Sequence, residues 1–175
     1  MREYVQVHPI LDFKSLQEEV LNLIPNEVDP VYGDYNVQPR NGWRSAWIAQ
    51  NKPYYYAVKE MIDNACCRYA ESWGCDGWIV NSMWYHVYNK GGSYTHHTHT
   101  LANMTGVLHL YLEDPRDYTR VIGYGKPVKE GEVILFPSMQ PHRGDPVHAK
   151  KIVVGFNWDI YGKMKKYEPV QRGTK

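Results

Sequence analysis

Histidines are concentrated in the second half of the chain, at a spacing that could hold a metal ion. The densest stretch, residues 95–100, reads Thr-His-His-Thr-His-Thr. In a strand alternate side chains share one face, so His97 and His99 would point the same way with Cα atoms about 6.6 Å apart. A third imidazole is offered by His142, just after an apolar run and the turn residues Pro137 and Ser138. Three imidazoles suit iron, zinc, copper or nickel, so the ligand type alone does not choose the metal.

The segments around these histidines have the period of strands. Apolar and polar residues alternate from about residue 78 onward, and Gly, Pro, Asn and Asp interrupt the pattern at short intervals. Short strands separated by frequent turns favour a sandwich or barrel over a parallel sheet. The predicted strands cover residues 78–88, 94–99, 104–112, 119–122, 132–136 and 150–158, with a turn at residues 89–92 between the first two.

The first half of the chain predicts helices that would support this β-region. After a short strand at residues 4–7, Ser15 and Glu18 form a capping-box pattern that opens a helix over residues 15–24. A longer apolar stripe predicts a second helix over residues 54–73, ended by Gly74. We expect one domain, with a helical and loop buttress at residues 1–77, a β-core at residues 78–160 and a basic tail at residues 161–175.

The composition excludes several classes of protein. Of the 175 residues, 43% are apolar and 22% are charged, which is typical of a folded globular protein and not of a disordered one. A formal net charge of +1 argues against a non-specific nucleic-acid binder. No apolar run approaches the ~18 residues of a membrane span. The three cysteines, two of them adjacent, predict free thiols in a reducing compartment, so we expect a cytoplasmic protein.

The stretch from Trp84 to Trp158 resembles the small phage- and bacterial-type iron(II)/2-oxoglutarate-dependent oxygenases, which are related to prolyl 4-hydroxylases. The matching pieces follow the family's order over about 75 of the 175 residues. They are Trp84, Gly91, His97-Thr98-His99, Thr105-Gly106-Val107, Phe136-Pro137-Ser138 with His142, and Phe156-Asn157. The resemblance implies a mainly β fold with flanking helices: a double-stranded β-helix, which is a jelly-roll or cupin-like barrel.

The resemblance implies that His97, His99 and His142 are ligands of Fe(II), with 2-oxoglutarate as cosubstrate and molecular oxygen as oxidant. The wider superfamily carries an acid where this chain has His99. Two imidazoles and one carboxylate leave iron(II) with a net charge of about +1, whereas three neutral imidazoles leave about +2. A dianionic cosubstrate would neutralise that charge.

The resemblance also implies residues that bind the cosubstrate. Lys151, nine residues after His142, matches the basic residue of the last strand that pairs with the far carboxylate of 2-oxoglutarate. Lysine is a point charge without the fork of arginine, so this contact would be less directional. His109 stands where relatives carry the second Tyr of a Tyr-Tyr pair, and Tyr111 is expected on the same face one step along. Both are predicted to help bind the cosubstrate.

Three further residues are predicted to contact the substrate. Arg143 directly follows the third histidine and could meet an acidic group, while Trp84 and Tyr94 flank the expected mouth of the barrel. The implied reaction is hydroxylation of a peptide side chain, an amino acid or a small molecule, in the host cytoplasm if the protein is phage-encoded. The sequence leaves open which substrate is used and whether the chain forms a homo-oligomer.

Two alternatives remain open at the level of sequence. A cupin-type metalloprotein without 2-oxoglutarate would fit Gly91 ahead of His97 and Gly131 ahead of Pro137, although Asn103 stands where a cupin glutamate is expected. The other alternative is a barrel that binds a partner and has no catalytic role. A cosubstrate role for Lys151 separates the oxygenase from both.

Overall fold

The computed structural model describes residues 3–24, 40–44, 53–100 and 102–162. Much of the loop part of the predicted buttress, and the predicted basic tail from residue 163, lie outside the described residues. The two helices are α1 (Phe13–Leu23) and α2 (Pro53–Ser72). The eight strands are β1 (Gln6–Pro9), β2 (Arg40–Arg44), β3 (Gly77–His97), β4 (Met104–Leu112), β5 (Arg120–Val121), β6 (Glu132–Pro137), β7 (His142–Gly144) and β8 (Lys151–Tyr161).

The strands form an antiparallel array in the order β1-β6-β4-β8-β3-β7-β5, with β2 pairing to β3 off this path. Neighbours in this order are far apart in sequence, as a jelly-roll requires, because the chain crosses between sheets rather than running through consecutive hairpins. The predicted mainly β fold with flanking helices is confirmed. None of the helices in the described segments is long and apolar enough to cross a bilayer.

Strand β3 belongs to both sheets, and the turn predicted at residues 89–92 is wrong. Up to Tyr88 the strand pairs with β8, and from Tyr94 it pairs with β7. Gly91 takes a left-handed φ of 80°, which costs a glycine little. The residues that predicted a turn therefore form an irregularity within one long strand, and the end of that strand lies in the second sheet.

The helices pack on one face of the larger sheet. The ring of Tyr69 on α2 lies edge-on to Trp158 of β8, with ring centroids 5.5 Å apart, and both side chains are fully buried. Helix α1 begins at Phe13, two residues before the predicted start, after Asp12 in a left-handed conformation. The Ser15 hydroxyl donates to the Asp12 carbonyl, so the predicted capping box does not form.

The opposite face of the same sheet forms the interior of the barrel. On β8 the even residues Ile152, Val154 and Phe156 pack toward the helices, and Val153 packs into a second cluster inside the barrel. Gly155 allows the Trp84 ring to lie against the sheet, because a Cβ at this position would stand 2.8 Å from the indole nitrogen. Alternation along β3, β4 and β8 thus gives each strand one helix-facing and one interior face.

Candidate metal centre

Three imidazoles converge where β3 and β7 meet. His97 is the last residue of β3 and pairs in register with His142, the first residue of β7. His99 lies two residues beyond the end of β3, and its backbone N–H donates to the Ser138 carbonyl at 2.9 Å. One ligand nitrogen from each ring lies within 4.8 Å of the others. The structure therefore brings together all three histidines that the sequence singled out.

The spacing of these nitrogens suits a shared metal ion. The Nε2 atoms of His99 and His142 are 3.3 Å apart. Two nitrogen ligands at right angles, each about 2.1 Å from one ion, would stand about 3 Å apart. The rings are also oriented by their surroundings, because the Nδ1–H groups of His97 and His142 donate to the carbonyls of Thr95 and Gln140 at 2.9 and 3.2 Å. These bonds leave Nε2 of both rings unprotonated and able to bind a metal.

Burial keeps two of these histidines neutral. Desolvation, followed by the nearby His97, lowers the pKa of His99 to about 4 and that of His142 to about 3. Neutral imidazole is the form that coordinates a metal, so these ligands need lose no proton from a charged ring near neutral pH.

Aromatic rings fix the positions of the ligands. The indole of Trp84 stacks on His99 with centroids 5.3 Å apart and an interplanar angle of 28°. Tyr94 meets His97 edge-on at 4.5 Å, and Phe136 meets His142 edge-on at 4.9 Å. Each imidazole therefore rests on a different aromatic ring, which limits its rotation.

A cleft of about 380 Å³ opens beside the histidines and runs into the barrel. The predicted substrate residues Trp84, Tyr94 and Arg143 all line this cleft. The full lining consists of Trp84, His86, Tyr88, Tyr94, His97, Thr105, Val107, Thr119, His142, Arg143, Gly144, Val153 and Gly155.

Lys151 does not itself line the cleft but lies fully buried behind two residues that do. Its Nζ is 5.0 Å from the centroid of the Tyr88 ring and 3.5 Å from the Thr119 hydroxyl, both of which belong to residues that line the cleft. Burial lowers the pKa of Lys151 to about 7, although Asp117 and Asp145 act in the opposite direction from a distance. No ion pair joins Lys151 to a carboxylate of the described residues, so its protonated form is a buried charge that would gain from an anionic ligand.

His109 reaches the interior as predicted, but with a different hydrogen-bonding role. Its Nε2 accepts the backbone N–H of Thr119 at 3.0 Å, so this nitrogen has no proton to donate to a ligand. Burial lowers the pKa of His109 to about 3, with Lys151 as the second cause. His109 thereby holds in place Thr119, a cleft residue that the sequence analysis missed. Thr119 begins a predicted strand, but strand pattern alone does not reveal which residue it faces across the barrel.

The structure does not bring Tyr111 to the cleft, so its predicted position is wrong. Strand β4 pairs His109 with Val153 but Tyr111 with Ile152, which makes Leu110 an extra residue. The side-chain amide of Gln17 donates to the Leu110 carbonyl at 2.7 Å and supports this bulge. One inserted residue reverses the alternation, and Tyr111 packs on the helix-facing cluster instead.

A second group of metal-binding residue types occurs away from the cleft, at Asp114, Asp117 and His148. Asp117 accepts hydrogen bonds from the ring and the backbone of His148, at 2.6 and 2.8 Å, and from the backbone of Ala149 at 3.1 Å. Asp114 is paired with Arg116 at 2.5 Å. These oxygens already have protein donors, so the group serves to tie two loops together.

The sequence matches no family model and no curated protein. Solved structures do match. A viral collagen prolyl hydroxylase from Paramecium Bursaria Chlorella virus-1, solved as a 2-oxoglutarate complex, aligns with a TM-score of 0.63 at 15% identity, covering 89% of this chain and 96% of that one. A Pseudomonas putida prolyl-4-hydroxylase aligns with a TM-score of 0.61 at 15% identity, covering 92% and 94%.

A third similar structure is a Trichoplax adhaerens prolyl hydroxylase in complex with a hypoxia-inducible factor peptide fragment. It aligns with a TM-score of 0.58 at 16% identity and covers 89% of this chain and 83% of that one. At such identities the likeness establishes the fold. The chain therefore has the double-stranded β-helix fold of 2-oxoglutarate- and iron-dependent oxygenases, and the fold class predicted from the sequence is confirmed.

Proposed function

We propose that the protein is an Fe(II)- and 2-oxoglutarate-dependent dioxygenase that hydroxylates its substrate. One observation carries the proposal: three convergent imidazoles, two of which line the cleft, lie near a buried lysine that has no carboxylate partner and contacts two other residues of the cleft wall. A metal site alone would not need the lysine. A dicarboxylate bound between the two would meet a metal at one end and a cation at the other.

The residues present fit an iron ion. His97, His99 and His142 would hold it through ring nitrogens, with the Thr95 and Gln140 carbonyls fixing two of the rings. Bound iron, together with 2-oxoglutarate and oxygen, would supply the oxidation: 2-oxoglutarate would lose carbon dioxide and take up one oxygen atom to become succinate, and the other oxygen atom would go into the substrate. Three protein ligands would leave the remaining coordination positions to the cosubstrate and oxygen.

Lys151 and Thr119 would bind the far carboxylate of 2-oxoglutarate. The ammonium of Lys151 donates charge-assisted hydrogen bonds, and the Thr119 hydroxyl adds a neutral one from the neighbouring wall. His109 would position Thr119 by accepting the hydrogen bond of its backbone N–H.

The aromatic wall of the cleft would orient the substrate and exclude water from the reacting centre. Trp84 and Tyr94 lie against two of the three imidazoles, so a substrate contacting them would sit beside the metal. Both peptides and small molecules are compatible with this open cleft. We also propose a cytoplasmic location, which is supported by three free thiols, one of them buried.

Anaerobic titration tests the proposed function. Addition of Fe(II) and then 2-oxoglutarate to the purified chain should produce a weak visible charge-transfer band, and exposure to air should yield succinate. In Lys151→Met, which keeps a long side chain, half-saturation should need at least about tenfold more 2-oxoglutarate, the loss expected for a charge-assisted contact. The matched control is Lys150→Met, which removes the adjacent, exposed lysine and should behave as wild type.

Other outcomes would favour the alternatives. Fe(II) binding without a charge-transfer band, unaffected by Lys151→Met, would indicate a cupin-type metalloprotein. A chain that binds neither Fe(II) nor 2-oxoglutarate and forms no succinate would be a barrel without this chemistry.

A further inference from the structure

Arg143 links the cleft to a second cavity on the outer surface. It follows His142 on β7 and lines both the inner cleft and an open groove of about 490 Å³. The groove is bordered by residues 93–96 of β3 and residues 143–146. Tyr94 and Gly144 also line both cavities, so the cleft and the groove meet at these three residues, of which Arg143 is the charged one.

The charge at this position is only partly balanced. The carboxylate of Asp145 is shared between two arginines: one oxygen lies 2.5 Å from Arg143 Nε, and the other lies 3.2 Å from Arg120 Nε. Asp145 is the only acidic residue among those that line the cleft and the groove in the described part of the chain. One negative charge and two permanent positive charges give this group a net charge of +1 beside the mouth of the cleft.

The guanidinium of Arg143 has neighbours on two sides and still has an N–H group without an acceptor. Arg143 Nη1 lies 3.3 Å from Nε2 of His96, and the Asp145 carboxylate lies beside Nε as an ion pair without a hydrogen bond to it. Among the described residues nothing accepts a hydrogen bond from Nη2. An arginine fixed on two sides and open on a third is preorganised to bind a carboxylate or phosphate.

The histidine set adds to this preference. Three neutral ligands around Fe(II) with a dianionic cosubstrate sum to no net charge, whereas the usual carboxylate ligand would leave one negative charge at the centre. An anionic group approaching this site is therefore not repelled by the loaded metal. Lys151, when protonated, increases the positive potential further inside.

We propose that the substrate carries an anionic group, a carboxylate or a phosphate, that binds Arg143 at the mouth of the cleft. The inference rests on the proposed function, because it takes the three histidines as the reacting centre. Arg143 is thus a specificity-determining residue. It favours an acidic compound over its uncharged counterpart without contacting the atom that reacts.

Binding without turnover tests this proposal. The full chain, loaded with Zn(II) and 2-oxoglutarate, is immobilised and offered matched pairs of probes: short random peptides with Glu or Gln at a fixed position, free glutamate or glutamine, and phosphoserine or serine. Mass spectrometry measures which compounds are retained. The three pairs separate a peptide carboxylate, a free amino acid and a phosphate ester as sources of the anionic group.

Wild type should retain the acidic member of at least one pair about tenfold better than its neutral partner, as a charge-assisted contact predicts. Arg143→Gln should abolish this preference while keeping the wild-type melting temperature. Asp145→Asn should strengthen it by removing the shared carboxylate. Lys150→Gln, the same change of charge away from the groove, should leave it unchanged.

Retention of both members equally, retention of none, or an undiminished preference in Arg143→Gln would overturn the proposal. Because the readout needs no oxidation, it is independent of the dioxygenase assay. An Arg143-dependent preference in a chain that forms no succinate would leave the anion site standing and remove only the proposed reaction.

Discussion

Lys151 is the residue on which the choice of cosubstrate depends. It is fully buried, and its ammonium donates a long hydrogen bond of 3.5 Å to the Thr119 hydroxyl. Charged groups face it only at longer range: Asp117 and Asp145 favour its protonated form, while Arg120 disfavours it. The neighbouring rings of Tyr88 and His109 are neutral at physiological pH. A buried lysine in such surroundings is costly for the fold, which indicates a functional reason for it.

The affinity for 2-oxoglutarate should fall as the pH rises above about 7. Burial lowers the pKa of Lys151 to about 7, and the dianion binds the protonated form, so the competent fraction decreases with rising pH. The dissociation constant in anaerobic titrations should increase about tenfold per pH unit above that pKa. Calorimetry in buffers of different ionisation heat should detect proton uptake on binding. Lys151→Met should bind weakly with a flat profile between pH 7 and 9, and a flat wild-type profile would contradict the assignment.

His109 should affect the cosubstrate through Thr119. His109→Phe removes the acceptor for a buried N–H, which costs about 1–3 kcal/mol of stability when that group is left unsatisfied. We expect a higher KM for 2-oxoglutarate with metal affinity unchanged, and partial rescue by His109→Gln, whose amide oxygen can accept the same hydrogen bond. A Phe variant with normal KM for 2-oxoglutarate would show that His109 only fills the core.

At the scale of elements, the long strand β3 organises the site. One end of it packs against α2 and β8, and the other carries His97 into the smaller sheet. Trp84 lies between these parts, close against Gly155 on one side and stacked on His99 on the other. The position of His99, one of the three candidate ligands, is therefore expected to depend on a glycine in a neighbouring strand.

Gly155→Ala should weaken metal binding although residue 155 touches no metal ligand. The added Cβ would lie 2.8 Å from the Trp84 ring and force the indole toward His99. We expect roughly tenfold lower affinity for Fe(II) or Zn(II), in the range typical for loss of a ligand-orienting contact. Gly125→Ala, where a Cβ meets nothing within 4 Å, is the matched control. Equal metal affinities in the two variants would contradict this role of Trp84.

Local patterns predicted the bounds of some elements well, but not which face each of their residues takes. Strand β4 has the predicted bounds, and helix α2 is shifted by one residue. The errors occur where a partner decides the geometry: Gly91 marked a turn but sits within β3, and Leu110 bulges out of β4 and turns Tyr111 away. Alternation predicts which face of the sheet each side chain takes only up to the first bulge, and whether a bulge forms depends on the opposite strand.

The candidate site was predictable to a similar extent. The spacing of His97 and His99 and the apolar run before His142 predicted that these three histidines converge, because each signal is local. The contact between Lys151 and Thr119, and the support of Thr119 by His109, join three strands or loops distant in sequence. Such contacts follow from the register of the sheets, which a single sequence does not specify.

For the whole molecule, the metal would join the two sheets. His97 ends a strand shared by both, His142 begins β7, and His99 belongs to the loop beyond β3. The three-residue strand β7 has only two register partners on β3, and β5 has two on β7. The backbone pairing of the smaller sheet is therefore short, and a shared ion would add to it.

Removing the metal should destabilise the protein. A metal at about 100 times its dissociation constant stabilises the folded state by about 2.7 kcal/mol. For a chain of this size each kcal/mol corresponds to about 2–4 °C, so chelation should lower the melting temperature by about 5–10 °C. His142→Ala should melt at a temperature that chelator does not change. A wild-type protein that melts equally with and without Fe(II) would contradict metal binding at this site.

The short pairing of β7 has a consequence for the lifetime of the protein in a cell. Segments held by few contacts open first, and proteases cut chains from such opened states. Without iron, the residues around His142 and the loops on either side of β7 would be exposed to cleavage more often. A cell short of iron would then lose the polypeptide itself as well as its activity, and iron supply would set how much of it accumulates.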